Sequence, residues 1–132
     1  MTAAPREAAY VMIADDDPDI LSCYRDALEH AGYRVATARN GAEVLDALAR
    51  RKPDALVLDI AMPQVDGLQV AGALLDRDET RAIPIVLVTA QTSFGGSSHS
   101  LMEMDNIRQV IFKPFPLDTL VNGVAEARRW TG

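Results

Sequence analysis

Short apolar runs of strand length alternate along the chain with longer segments in which apolar residues recur at helical spacing. The apolar runs are continuous rather than alternating, which is typical of parallel strands that are buried on both faces. They cover residues 11–14, 35–37, 55–58, 85–88 and 110–112. The pattern predicts five β-α units and an α/β fold. We expect a doubly wound, five-stranded parallel sheet of flavodoxin-like order 2-1-3-4-5, in three α/β/α layers.

Several helix ends are marked by residues with capping chemistry. Asp17 and Pro18 predict an N-cap followed by a proline in the first turn. Gly32 predicts the end of that helix, because glycine readily adopts the left-handed conformation found there. Asn40 and Glu43 predict the cap of a second helix, with Glu43 at the capping-box position.

Length and charge narrow the class of protein. The 132 residues fit one domain, which we place at residues 10–130 after a short lead-in at 1–9. The formal net charge of -6 argues against direct binding to nucleic acid by this domain. No apolar run approaches the roughly 20 residues of a membrane helix, and the N-terminus lacks the apolar segment of a secretory signal. We therefore expect a cytoplasmic domain with no membrane contact.

Cys23 and His99 are residue types that can take part in redox chemistry or metal binding, but the pattern around each predicts a structural role. Cys23 is the only cysteine and lies in an apolar helical pattern, so we predict that it fills the core. His99 lies in the Gly- and Ser-rich stretch 92–100, which predicts a loop that leads into a weak helix. No second histidine or cysteine accompanies His99, so we do not expect it to bind a metal.

Polar side chains stand at the carboxyl ends of four predicted strands. Strand one leads into Asp15 and Asp16, strand three into Asp59, strand four into Thr89 and strand five into Lys113. In a parallel doubly wound sheet these ends converge on one crevice. The sequence therefore predicts that three carboxylates, a hydroxyl and an ammonium group meet there.

A cluster of these groups is suited to binding a cation and a phosphoryl group. Two like charges about 4 Å apart repel by roughly 4 kcal/mol at an effective dielectric of about 20, so a proton or a cation should bind. Carboxylate oxygens are ligands that suit Mg²⁺, with Mn²⁺ as an alternative. Lys113 and Thr89 could contact phosphoryl oxygens, and Asp59 could act as a nucleophile that forms an aspartyl phosphate.

The segments VMIADDDPDI, LVLDIAMPQVDG, IVLVTA and VIFKPF resemble the signature segments of response regulator receiver domains. The resemblance extends from about Tyr10 to Trp130, in the same order and at similar spacing. It implies a phosphoacceptor domain of two-component signalling. Such a domain takes a phosphoryl group from a histidine kinase or a phosphotransfer protein in a Mg²⁺-dependent reaction. It is a switch rather than an enzyme, since it catalyses only its own phosphorylation and dephosphorylation.

The resemblance also assigns roles to individual residues. It implies that Asp59 is the phosphoacceptor, that Thr89 and Lys113 bind the phosphoryl group, and that the peptide bond before Pro114 is cis. The metal would be held by Asp15, Asp16, Asp59 and the backbone carbonyl of Ala61. Met62, Pro63 and Gly67 match the loop after the phosphorylation site. An effector domain or a second copy of the chain would bind the face near strand five.

The chain departs from the family pattern around strand five. Val110 stands where many receivers have the aromatic residue that moves on activation, so the usual relay is not expected. Asn106 and Ile107 replace a common Gly-Ala pair, and the stretch from Thr89 to Lys113 is slightly long.

Two other functions are compatible with parts of the pattern. A small haloacid-dehalogenase-type phosphatase would use Asp15 as nucleophile and Asp17 as acid/base, with Thr89 and Lys113 in its later motifs. That interpretation leaves Asp59 unexplained and lacks a clear acidic pair after the lysine. A receiver-like interaction module that is never phosphorylated is the other alternative.

Overall fold

The computed structural model describes residues 9–62, 65–90 and 104–129 of the chain. The strands in these ranges are β1 (Tyr10–Ala14), β2 (Arg34–Ala38), β3 (Ala55–Asp59), β4 (Ile85–Thr89) and β5 (Ile107–Phe112). The helices are α1 (Pro18–His30), α2 (Gly41–Arg50), α3 (Gly67–Leu75) and α4 (Leu117–Arg128). The weak helix predicted before β5, the loop at 92–100 and His99 lie outside the described residues.

All five strands pair in parallel, in the order β2-β1-β3-β4-β5. The predicted strand order is therefore confirmed. The three central strands are buried along almost their whole length, as their continuous apolar runs predicted. The register places Asp59 opposite Val88, so Thr89 lies one residue beyond the partner of Asp59.

Helices cover both faces of the sheet and create two apolar clusters. Successive residues of a strand point to opposite faces, so each central strand contributes to both clusters. On one face α2 and α3 pack against Met12, Leu56, Leu58, Ile85 and Leu87. On the other face α1 and α4 pack against Val11, Ile13, Val57, Val86 and Val88. The structure thus has the predicted three layers.

The predicted caps of α1 and α2 are present. The side chain of Asp17 accepts a hydrogen bond from the N–H of Asp19 (2.9 Å), and Pro18 begins α1. The side chain of Asn40 accepts from the N–H of Glu43 (2.9 Å). The return bond of the α2 capping box is displaced by one residue, because Glu43 accepts from the N–H of Arg39 (2.7 Å).

Gly32 ends α1 in the conformation that the sequence predicted. Its φ is +102°, which residues with a Cβ rarely adopt. Its N–H donates to the Glu29 carbonyl and the next N–H, of Tyr33, donates to the Leu28 carbonyl, both at 3.0 Å. These two bonds satisfy carbonyls that the end of a helix leaves without partners.

The predicted burial of Cys23 is wrong. Cys23 is exposed rather than part of the core. It lies about 100° around α1 from the buried Tyr24, on the side of the helix that faces solvent. On α4 the buried residues are Leu120, Gly123, Val124 and Ala127, whereas Leu117 (42% exposed) and Ala125 face solvent.

The fifth strand begins earlier than its apolar run indicated. The register pairs Ile85 with Ile107 but Val86 with Gln109, so Arg108 is an extra residue in the ladder. A bulge of this kind absorbs part of the extra length noted before Lys113. Asn106, just before the strand, is buried, and its amide donates to the Ala71 carbonyl of α3 (3.0 Å).

Among the helices of the described ranges, none has the length and apolar character needed to cross a membrane.

Candidate functional site

The parallel sheet brings the predicted polar residues to one edge. Asp15 and Asp16 follow β1, Asp59 ends β3, Thr89 ends β4 and Lys113 follows β5. Carboxylate oxygens of Asp15, Asp16 and Asp59 lie within 4.8 Å of one another. Asp15 and Asp59 are buried, whereas Asp16 is exposed to solvent. The site is therefore an acidic pocket that opens toward solvent at Asp16.

Asp15 is fixed by backbone groups on both sides. Its Oδ1 accepts a hydrogen bond from the N–H of Asp17 (2.9 Å), and its own N–H donates to the Ala38 carbonyl at the end of β2 (3.1 Å). Burial raises the pKa of its carboxyl from 3.8 to about 6, and the charge of Asp59 adds to that rise. The Asp17 N–H and the Lys113 ammonium act in the opposite direction.

Asp59 is held between two donors. The N–H of Ala61 donates to Oδ1 at 3.3 Å, and the Nζ of Lys113 lies 3.4 Å from Oδ2. Just beyond the strand, the N–H of Ile60 donates to the Val88 carbonyl of β4 (3.1 Å). Only 6% of Asp59 is exposed, so the sheet holds its carboxylate in a fixed place at the floor of the pocket.

Lys113 reaches both buried carboxylates without binding either tightly. Its Nζ lies 3.5 Å from Asp15 and 3.4 Å from Asp59, whereas strong charged hydrogen bonds are about 2.7–2.9 Å long. Its backbone is better fixed, because its N–H donates to the Thr89 carbonyl at 2.8 Å. A long, flexible side chain on a fixed backbone can adjust to a new anion in the pocket.

The loop after Asp59 passes very close to it. The N–H of Gly67 donates to the Ile60 carbonyl (3.1 Å), and a Cβ on Gly67 would lie 2.5 Å from the Asp59 carbonyl oxygen. Only glycine fits this contact without displacement of the backbone. Asp66 and Gln69 form a complete capping box that begins α3 at this point. Met62 is buried beside the loop, and Pro63 lies outside the described residues.

The predicted metal ligands fit a hard divalent cation. All the side-chain donors in the cluster are carboxylate oxygens, which suits Mg²⁺ and Mn²⁺. Burial raises the pKa of the Asp15 carboxyl, and the charge of Asp59 adds to the rise, so a positive charge placed beside these carboxylates would be favourable. Ala61 lies beside Asp59, as expected, and the role of its carbonyl stays a prediction.

Several contacts were not evident from sequence. The Asp17 N–H that holds Asp15 and the full capping box at Asp66 depend on local geometry. The ring contact between Tyr24 and Phe115 joins α1 to the residues after Lys113. In the sequence, only the aromatic character of Phe115 in the KPF segment indicated that such a ring contact could form. The expected cis peptide bond between Lys113 and Pro114 is present.

Comparisons with known proteins agree with this geometry. The family profile of the response regulator receiver domain matches residues 11–125. The polar-differentiation response regulator DivK of Brucella anthropi is 42% identical over 80 residues, a match that covers 61% of this chain and 65% of DivK. The transcriptional regulatory protein PrrA of Mycobacterium bovis is 36% identical over 122 residues, covering 92% of this chain and 51% of PrrA.

A solved structure supports the same assignment. The chemotaxis response regulator CheY4 of Vibrio cholerae superposes with a TM-score of 0.83 at 26% identity, covering 92% of this chain and 99% of that one. The chain thus spans about half to two thirds of the first two relatives and nearly all of the third protein. The phosphatase alternative with Asp15 as nucleophile is not favoured by these matches.

Proposed function

We propose that Asp59 is the phosphoacceptor of this chain, which belongs to the response regulator receiver domain family of two-component systems. The phosphoryl donor would be a histidine kinase or a phosphotransfer protein. The observation that carries the proposal is the position of Asp59. Its buried carboxylate lies among two further carboxylates and 3.4 Å from the Lys113 ammonium, at the edge where strand ends converge.

The metal site follows from the same cluster. Asp15, Asp16 and Asp59 would hold Mg²⁺ or Mn²⁺ with their carboxylate oxygens, together with the Ala61 carbonyl. When bound, the divalent ion supplies positive charge that offsets the phosphoryl oxygens and the gathered carboxylates. Asp15 must lose its proton to act as a ligand, so binding should be linked to pH.

The transfer itself requires the chain's own groups. A carboxylate oxygen of Asp59 attacks phosphorus, the bond from phosphorus to the donor nitrogen breaks, and the electron pair leaves with the imidazole. The product is a mixed anhydride on Asp59. Lys113 moves from the two carboxylates to a phosphoryl oxygen, as its loose contacts allow. The Thr89 hydroxyl, at the end of the neighbouring strand, binds another phosphoryl oxygen.

The switch would act on partners. The proposed output surface is the face near β5, where a groove between β5 and α4 is lined by Phe112, Phe115 and Gly123. An effector domain or a second copy of the chain would bind there. Val110 packs against the cluster beside α3 instead of supplying an aromatic side chain. The change on phosphorylation therefore cannot use the rotation of an aromatic ring at this position.

Labelling with a small acyl phosphate tests the proposal. The parent should gain one phosphoryl group that depends on Mg²⁺, and Asp59→Asn should gain none. Reduction of the acyl phosphate with borohydride, followed by peptide mapping, locates the modified residue. Label at Asp15 would favour the phosphatase, and a parent that never takes label would favour the unphosphorylated module.

A further inference from the structure

The residues that join Lys113 to α4 have few hydrogen bonds. Pro114 and Pro116 have no N–H to donate. Pro116 is the N-cap of α4, and no side chain caps that helix. Within the described part of the chain, the backbone of this connection is held by one hydrogen bond at each end. The N–H of Lys113 donates to the Thr89 carbonyl at the strand end, and the N–H of Thr119 donates to the Pro116 carbonyl where the helix begins. Between these points, packing must hold the backbone.

That packing comes from α1. The ring of Phe115 lies 5.7 Å from the ring of Tyr24, centroid to centroid, with an interplanar angle of 36°. Tyr24 is 8% exposed and belongs to the apolar cluster that α1 and α4 form on the sheet, and Phe115 packs against that cluster. Tilted aromatic pairs at this separation stabilise a contact beyond the area that they bury. The pair is thus a contact through which α1 can hold the connection in place.

We propose that Tyr24 is a positioning residue for Lys113, acting through the packing of its ring on Phe115. Phe115 is two residues from Lys113, so a shift of its ring displaces the backbone that carries the lysine. The Lys113 Nζ lies 3.4 and 3.5 Å from its two carboxylate partners, so a small displacement breaks both contacts. Without the ring on α1, the ammonium group should spend less time in the pocket.

The ring, rather than the hydroxyl, carries this role. The pKa of Tyr24 is raised to about 12 by burial, with smaller contributions from the charges of Asp15 and Asp59. The phenol therefore stays neutral at any pH at which the protein would be assayed, and it adds no charge to the pocket. Tyr24→Phe should preserve the positioning, whereas Tyr24→Leu should remove it.

The position of Lys113 can be measured without phosphorylation. Lys52, which is exposed, and Lys113 are the two lysines of the chain, so Lys52 serves as an internal reference. Brief reductive methylation of the metal-free protein, followed by peptide mass spectrometry, gives the rate at Lys113 relative to Lys52. We expect Tyr24→Leu and Phe115→Leu to raise this ratio by about twofold to fivefold. Tyr24→Phe should leave it at the parent value.

A second control separates positioning from general damage to the core. Leu28 lies one turn further along α1, fully buried in the same cluster. Leu28→Val weakens that cluster without changing the aromatic pair, so the labelling ratio should stay at the parent value. An unchanged ratio in both Tyr24→Leu and Phe115→Leu overturns the proposal, and so does an equal rise in Leu28→Val.

The effect on phosphorylation rests on the proposed function and is tested separately. At saturating Mg²⁺, Tyr24→Leu should slow labelling by acetyl phosphate by about twofold to fivefold, because the ammonium group spends less time in the pocket. In a Lys113→Ala background Tyr24→Leu should slow labelling little further, because both substitutions remove the same contact, that of the Lys113 ammonium in the pocket. Independent, multiplying effects would overturn the positioning role. A parent that takes no label would overturn the proposed function instead, and the methylation ratio would still decide the role of Tyr24.

Discussion

Replacement of Asp15 by asparagine should stabilise the metal-free protein, and the gain should depend on pH. In the folded chain the pKa of Asp15 is about 6, against an ordinary value of 3.8. Between these two values the folded state binds more protons than the unfolded state, so stability falls as the pH rises. Above pH 6 the folded protein carries the full cost of a buried negative charge. Asp15→Asn cannot ionise and avoids that cost.

The magnitude follows from the size of the pKa rise. A rise of about 2 units corresponds to about 3 kcal/mol at 1.36 kcal/mol per unit. Burial of Asp15 is the largest cause of the rise, and the charge of Asp59 contributes a smaller part of this free energy. We therefore expect the stability of Asp15→Asn, relative to the parent, to increase by about 1–3 kcal/mol between pH 3.5 and 7.5.

Urea unfolding in EDTA, at several pH values, measures this difference. Asp26→Asn is the matched control, since it removes one negative charge from an exposed position on α1, the helix that follows Asp15. Saturating Mg²⁺ should then stabilise the parent more than Asp15→Asn, because the variant has lost a charged ligand. A stability difference that stays constant from pH 3.5 to 7.5, or that falls as the pH rises, would refute this account of the pocket.

Three further predictions concern separate parts of the structure. Asp16→Ala should abolish Mg²⁺ binding measured by calorimetry, and binding as tight as the parent's would exclude the proposed ligand set. Gly67→Ala should cost about 1–3 kcal/mol in urea unfolding because its Cβ meets the Asp59 carbonyl, whereas Gly72→Ala, with open space around it, should stabilise α3 by about 0.5–1 kcal/mol. Asn106→Asp should lower stability at pH 7 by at least about 2 kcal/mol, since it buries a carboxylate and loses the donor to Ala71; equal stability at pH 7 would contradict this.

The sheet and the composition of the pocket could be predicted because both depend on local patterns. Continuous apolar runs identify buried parallel strands, and parallel strands bring their carboxyl ends to one edge. Asp15, Asp59 and Lys113 could therefore be placed together although they are far apart in sequence. The prediction needed only the order of the strands, and that order is confirmed.

The errors arose where neighbouring elements decide which side of a helix is covered. Cys23 has apolar character, but it lies off the stripe that α1 buries. The width of that stripe depends on how closely the next helix packs, which apolar spacing does not determine. The bulge at Arg108 likewise depends on the pairing of β5 with β4 at the sheet edge. Asn106 is polar and yet buried: its Nδ2 donates to the Ala71 carbonyl, whereas its Oδ1 has no hydrogen-bond partner among the described residues.

Burial of negative charge in the pocket costs stability, and a positive side chain controls how large that cost is. The two effects arise at different levels of structure. The cost is set at the strand ends, where burial of Asp15 beside Asp59 raises the pKa of Asp15. The control depends on Lys113, whose ammonium group offsets that charge from 3.4 and 3.5 Å. The position of Lys113 depends in turn on the connection to α4, in which the ring of Phe115 packs against the ring of Tyr24. Strand order thus fixes which groups meet, while helix packing fixes how well the Lys113 ammonium is placed among them.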